Sequence, residues 1–269
     1  MGVRVEARGL TSIQELNTLP EPVREALYLR LVPEELWERL AVDRRTLRNA
    51  AGEPVARVVA PAGQGWARVE VRAAAADRDP VLVVDVEMSP LGVPELTFVQ
   101  ITDPASERYG IDRDDDGQDT LFGTVARNPG EEARALAAGL APGQVRRGLR
   151  LLGRVLEAME AWCQLLGREI FLVEPLFYHS AILYERHGCA YLLGRERMEE
   201  IDRGFRPGGP LAARLDGSTP FRQPGFARTV RGRSWAIHDG ILGDPWAGVK
   251  MYKELGRHAG VATFTGAGY

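Results

Sequence analysis

The chain reads as an α/β protein, with a central mixed sheet flanked by helices. Three observations predict it. Apolar runs of strand length recur between residues 55 and 102, separated by Gly, Pro and Asp clusters. The continuous apolar run Ile170-Phe-Leu-Val173 stands between two segments of helical period, as a buried strand does. The 269 residues are 45% hydrophobic and 26% charged, enough for one large globular domain or two small ones.

The first fifty residues read as a helical segment, with helices from Pro22 to Leu29 and from Pro33 to Ala41, each opened by a proline where proline is tolerated. From residue 51 the period changes. Val55–Val59, Trp66–Val71, Val81–Val86 and Leu96–Thr102 read as strands of a meander. The acidic stretch Tyr109–Phe122 follows. Its Asp112, Asp114, Asp116 and Gly117 match the opening of an EF-hand loop, but position twelve is Gly123 rather than an acid. A hairpin with an Asp-Gly turn and a second strand through Phe122 to Val125 is the favoured reading; weak calcium binding by those three aspartates is the alternative. Glu131–Leu140 then reads as an additional helix.

A long amphipathic helix is expected after the breaker pair Pro142-Gly143, with Leu149, Leu152, Leu156, Met159, Trp162 and Leu166 on its core face. Arg146, Arg147, Arg150 and Arg154 make its opening turns basic where the helix dipole favours acids. An anion would relieve that mismatch; a solvated arginine face is the equal alternative. After strand Ile170–Val173, Glu174-Pro175 ends the run. A second helix spans Phe177–His187 and stops at Gly188, and a short strand Ala190–Leu193 follows.

Over about fifty residues, Gly143 to Leu193, this arrangement resembles the C-terminal half of the GNAT superfamily of acyl-CoA-dependent N-acyltransferases. Two motifs carry the resemblance. Gln144-Val-Arg-Arg-Gly148-Leu-Arg150 stands where the family has its pyrophosphate-binding Q/R-x-x-G-x-G/A loop, and Leu183-Tyr184-Glu-Arg-His-Gly188-Cys189 stands at the family's LYEKxGF. The resemblance implies a GNAT-like core over residues 51–198, acetyl-CoA or another acyl-CoA as co-substrate, and transfer of the acyl group to a small-molecule amine. It implies Gln144, Val145, Arg146, Arg147, Gly148 and Arg150 as cofactor-binding residues, and Tyr184 as the acid that protonates the departing thiolate. A core tyrosine with its hydroxyl at the rim is the other reading of Tyr184. Glu174, directly after the strand, is the candidate base, or else a surface glutamate before proline. Backbone amides of the strand would hold the thioester carbonyl. The chain departs from the family at Val145, at Arg150 where a small residue is usual, at Phe177 in place of an asparagine, and at Cys189 in place of an aromatic.

Residues 199–269 exceed a single such core and carry their own α/β pattern. Ser234–Leu242 reads as a strand, Pro245–Arg257 as a helix and Val261–Phe264 as a closing strand, suited to completing the sheet, exchanging with a second subunit in a homodimer, or covering an acceptor pocket. His238-Asp239, with His179 and His187, suggests an acid–base or metal cluster, but the spacing fits no metal motif and no metal is expected. Cys163 and Cys189 read as buried free thiols. A net charge of −3 points away from nucleic acid, and the lack of a signal run or membrane span points to a cytoplasmic location. Three functions stand: an N-acyltransferase, a catalytically degenerate GNAT-fold protein that binds a ligand or partner, and an unrelated α/β enzyme using His238 or the acidic loop.

Overall fold

The computed structural model describes residues 9–121, 123, 125–266, 268 and 269. The opening Met-Gly-Val-Arg-Val-Glu lies outside the described residues, as do Phe122 and Thr124 of the hairpin's expected second strand. In chain order the elements are α1 (Ile13–Leu16), α2 (Glu21–Tyr28), α3 (Glu34–Arg39), β1 (Ala56–Val59), β2 (Trp66–Val71), β3 (Leu82–Met88) and β4 (Pro94–Ile101). They continue with α4 (Pro129–Ala137), α5 (Leu152–Leu165), β5 (Ile170–Val173), α6 (Tyr178–Arg186), β6 (Ala190–Leu193), α7 (Arg195–Phe205), α8 (Pro210–Ala213), α9 (Val230–His238) and β7 (Lys250–Glu254). The strands follow the order β1-β2-β3-β4-β5-β7-β6 and include both antiparallel and parallel pairs, so the fold is α/β with a mixed sheet. Among the described residues no helix is long and apolar enough to cross a membrane.

Two compact units interleave along the sequence. The first takes the described residues up to Pro104, Gly148–Glu174 and Tyr252–Arg257; the second takes Ala105–Arg147, Pro175–Met251 and His258–Tyr269.

In the first unit β1 to β4 form an antiparallel meander, and the alternation seen in the sequence is obeyed: Ala67, Val69 and Val71 are buried while Trp66 and Arg68 are exposed. Leu27, Leu36 and Trp162 on the helices of this unit are buried as well. Tyr28 of α2 stacks on Trp162 of α5 at 5.8 Å. Asn17, fully buried just past α1, donates to the carbonyls of Gln64 and Trp66 and accepts from the Tyr28 hydroxyl, so the helical segment is tied to β2 through one satisfied amide.

The second unit has its own core, in which Tyr109, Ile111, Ala135, Leu140, Val145, Phe221 and Trp235 pack together. Trp235 of α9 stacks on Phe221 at 5.2 Å and donates its indole N–H to the Leu140 carbonyl at 2.8 Å. The acidic stretch makes an Asp-Gly turn with Gly117 at φ 75°, closed by an isolated bridge between Arg113 and Asp119.

Several expected elements are corrected. The helix expected from Gly143 begins at Leu152, because Gly143 (φ 78°) and Arg150 (φ 61°) both take left-handed conformations that interrupt it. Ser234–Leu242 is not a strand but overlaps helix α9, which is buried on nearly every side and therefore shows no one-sided stripe. Residues 245–249 are irregular, and 250–254 form β7, in which buried Met251 and Lys253 alternate with half-buried neighbours at period 2. Val261–Phe264 has no strand partner of its own. The highly charged helix α7 falls where the sequence reading placed no element.

Candidate functional site

The most site-like feature of the first unit lies where β4 and β5 part. They run parallel, connected through α5, and their register consists of Glu95–Leu172 and Leu96–Val173 alone. The Glu174 amide adds a last, long bond to the Leu96 carbonyl at 3.4 Å. β5 stops at Val173, whereas β4 runs on from Thr97 to Ile101. On its other side β4 pairs Val86 with Leu96 but Asp85 with Phe98, so Thr97 is an extra residue, a β-bulge. Bulges bend a strand and increase its twist, and burial changes at this point: Pro94, Glu95 and Leu96 are buried, and the five residues beyond are only half-buried. The inward residues Leu96, Val99 and Ile101, opposite Val86, Val84 and Leu82, are spaced three and then two apart, which is the one trace the bulge leaves in the sequence.

The chain re-enters this unit at the end of β4. A Cβ on Gly148 would stand 3.2 Å from the Ile101 carbonyl oxygen, so only a minimal residue fits there without displacement. Four residues later α5 begins, with Leu151 at its N-cap and no side chain capping its free amides. Arg154 in its first turn pairs with Glu157 at 2.8 Å and more loosely with Glu35 at 3.8 Å. A strand edge next to a bulge and an uncapped helix N-terminus are matched, respectively, to an extended amide-bearing arm and to an anion.

The residues singled out in the sequence fall in both units. Glu174 is exposed and ends the second stretch of the first unit. Tyr184 belongs to the second unit, on α6, where burial and the neighbouring Cys189 raise its phenol well above the ordinary range and keep it protonated. Gly148 and Arg150 lie in the first unit; Gln144, Val145, Arg146 and Arg147 lie in the second. These last four do not start a helix. Val145 is buried and its carbonyl accepts from the Tyr109 amide at 2.8 Å. The Gln144 side chain accepts from the Ala141 amide, the Arg147 amide donates to Ser106 Oγ at 3.2 Å, and the Arg146 guanidinium reaches the Ser106 carbonyl. Cys163 and Cys189 are free and buried, and burial pushes the Cys163 thiol up.

Asp112 pairs with Arg108 at 2.7 Å, and Asp114 accepts the amides of Asp116 and Gln118, stabilising the turn from within. Among the described residues no three of His, Cys, Asp and Glu converge in a group able to hold a metal. His238 and Asp239 instead belong to a charge network of the second unit. His238 Nε2 lies 3.0 Å from Glu132 Oε1, Arg127 bridges Glu132 and Asp239, and Arg222 and Thr219 also donate to Asp239. Burial alone would raise the Glu132 carboxyl; the bonds from His238 and Arg127 outweigh it and hold the group below its usual range. His179 bonds Ser234 Oγ through Nδ1 at 2.9 Å, and burial, helped by the nearness of His238, pushes its pKa down to about 3. Such an imidazole stays neutral and is too weak a base to activate that serine.

No protein-family model matches the chain, and neither a curated protein nor a solved structure matches it.

Proposed function

We propose that the chain is an acyl-CoA-dependent N-acyltransferase, transferring an acyl group, acetyl in the simplest case, to a small-molecule amine. The observation that carries this reading is that β5 ends at Val173, opposite Leu96, while β4 runs on to Ile101 from a bulge at Thr97. The pantetheine arm of CoA is extended and contains two amides, so it can add to β4 as a short strand would, and this orients the thioester along the strand. The uncapped start of α5 is where the pyrophosphate would find free amides and a favourable dipole. Gly148 and Arg150 from the sequence motif lie at this entry, and Gly153 and Arg154 in the first turn of α5 join them as candidates.

The chemistry asked of the first unit is modest. A neutral amine attacks the thioester carbonyl, the C–N bond forms as the carbonyl π electrons move to oxygen, and a β4 amide stabilises the oxyanion. Collapse breaks the C–S bond; the departing thiolate takes a proton and the amine nitrogen loses one. Glu174, exposed directly after β5, is the carboxylate proposed to accept the amine proton. The acid role of Tyr184 remains part of the proposal and rests on the sequence resemblance. The buried side chain of Val145 and its occupied carbonyl favour the second reading, a degenerate GNAT-fold protein that binds without turnover.

Calorimetric titration with acetyl-CoA tests the proposal, with Arg150→Glu as the comparison. Saturable binding that the charge reversal weakens about tenfold, roughly 1.4 kcal/mol, is expected. No binding of any acyl-CoA by the folded protein overturns it, and binding without acylation of any amine in a broad panel moves the assignment to the second reading.

A further inference from the structure

Two histidines of the second unit are each bonded through only one ring nitrogen. His179 on α6 is 5% exposed, and the His238 side chain on α9 is 8% exposed. Nδ1 of His179 lies 2.9 Å from Ser234 Oγ, and Nε2 of His238 lies 3.0 Å from Glu132 Oε1. The other nitrogen of each ring, Nε2 of His179 and Nδ1 of His238, has no hydrogen-bond partner among the described residues. Buried ring nitrogens ordinarily find a partner, in the protein or outside it. The fold brings the two rings together. Ser234 and His238 are one turn apart on α9, and side chains at that spacing are neighbours on one face. A helical side chain leans back over the turn before it, which carries His238 towards Ser234 and so towards the His179 ring bonded to that serine. Both rings lie against Phe177, with centroids 5.6 Å away for His179 and 5.9 Å for His238. At Gly123 a Cβ would stand 2.7 Å from His238 Cε1 and 2.8 Å from its Nε2, so only glycine lets the backbone approach the imidazole this closely.

Imidazoles held in this way have the form of metal ligands. A ligating histidine offers one nitrogen lone pair while its other N–H donates to a neighbour that fixes the tautomer and the ring. Ser234 and Glu132, each 2% exposed, stand in that supporting position. With Nδ1–H of His179 donated to Ser234 and Nε2–H of His238 donated to Glu132, the lone pairs fall on the two unpartnered nitrogens. We propose that His179 Nε2 and His238 Nδ1 form a binding site for a first-row transition cation of the zinc or copper class, with Ser234 and Glu132 orienting the two rings. Imidazole nitrogen suits these cations, whereas calcium and magnesium take oxygen ligands. No three of His, Cys, Asp and Glu converge among the described residues, so the protein supplies two ligands and water fills the remaining positions. Such a site is open to a further ligand atom. It lies apart from the acyl-transfer reading and does not depend on it.

Titration of the full chain, stripped of metal with a chelator, tests this with Co²⁺ as the probe and visible absorption as the readout. Saturable binding is expected. His179→Gln and His238→Gln should each weaken it at least tenfold, and Glu132→Gln, which removes only the orienting carboxylate, by about tenfold. His258→Gln, at an exposed histidine of the same unit, should leave it unchanged. No saturable binding up to about 1 mM Co²⁺ overturns the proposal. So does binding that neither His179→Gln nor His238→Gln weakens, since the ion then sits elsewhere on the surface. If these variants lose their native circular dichroism, nitrogen NMR of the unaltered chain decides. Zn²⁺ should shift the resonances of His179 Nε2 and His238 Nδ1 and leave the nitrogens facing Ser234 and Glu132 protonated; resonances that do not move overturn the proposal.

Discussion

The pair Asp202–Arg233 offers the sharpest test of the energetics. Their side chains are 2% and 4% exposed, the Nη1–Oδ1 distance is 2.8 Å, and the guanidinium lies between two phenyl rings. Neither charge can be rehydrated without opening the second unit. Asp202→Asn leaves the buried Arg233 guanidinium without its counter-charge, whereas Arg206, the other cation on Asp202, is 54% exposed and is left to water. Breaking such a pair from one side costs about 3–5 kcal/mol. Arg233→Met should cost less, because Asp202 keeps Arg206 at 2.9 Å and the Thr265 donors, while the bond from Nε to the Ala227 carbonyl is lost. The double variant removes both charges, keeps most of the volume and should lose far less than the sum, with a coupling of at least about 2 kcal/mol. Urea unfolding followed by circular dichroism and tryptophan fluorescence measures all four corners of the cycle. Additive losses, or a single-variant loss below about 1 kcal/mol, would refute the argument that burial makes these charges depend on each other.

The remaining predictions concern pH and backbone. His179 has its pKa depressed by burial, so below the ordinary imidazole range the unfolded chain takes up a proton that the folded chain refuses; its stabilising effect is complete above about pH 6.5 and is lost as pH falls towards 3. Stability should drop by up to about 1.4 kcal/mol per pH unit in that window, and His179→Gln should flatten the slope between pH 6 and 5, as read from urea midpoints. Glu132, Asp202 and Asp239 are held below their unfolded values, so a further loss should appear only as pH falls below about 4. Gly188→Ala should be more damaging than Gly240→Ala: both sites have positive φ, but at 188 a Cβ would also meet His258 Cα at 2.9 Å, whereas at 240 nothing lies within 4 Å. Thermal melts showing equal losses would contradict that. Arg150→Gly relieves a left-handed non-glycine residue and should stabilise the first unit by up to about 1 kcal/mol, measured by chemical denaturation.

Much of the architecture was legible in local pattern. The strands of the meander alternate because one face is buried, β5 and β6 lie within the bounds their apolar runs suggest, and α6 ends at Gly188 because a left-handed residue at φ 84° stops a helix. These features depend on neighbours in sequence, and a sequence displays its neighbours. The bulge at Thr97 left only an irregular spacing of inward residues. The β4–β5 register left nothing, because a parallel pairing is made by residues more than seventy apart. Helix α9 was misread because an all-round buried helix has the apolar content of a strand and no stripe to betray it. Arg146 and Arg147 looked like the start of a helix until the left-handed residues around them placed that start at Leu152. The clearest division lies in the tail. The sequence by itself offered Val261–Phe264 as a closing strand; only the tertiary structure set Glu185, Asp202 and Arg233, from three helices, against Thr263, Phe264 and Thr265, since buried charges find their partners through space rather than along the chain.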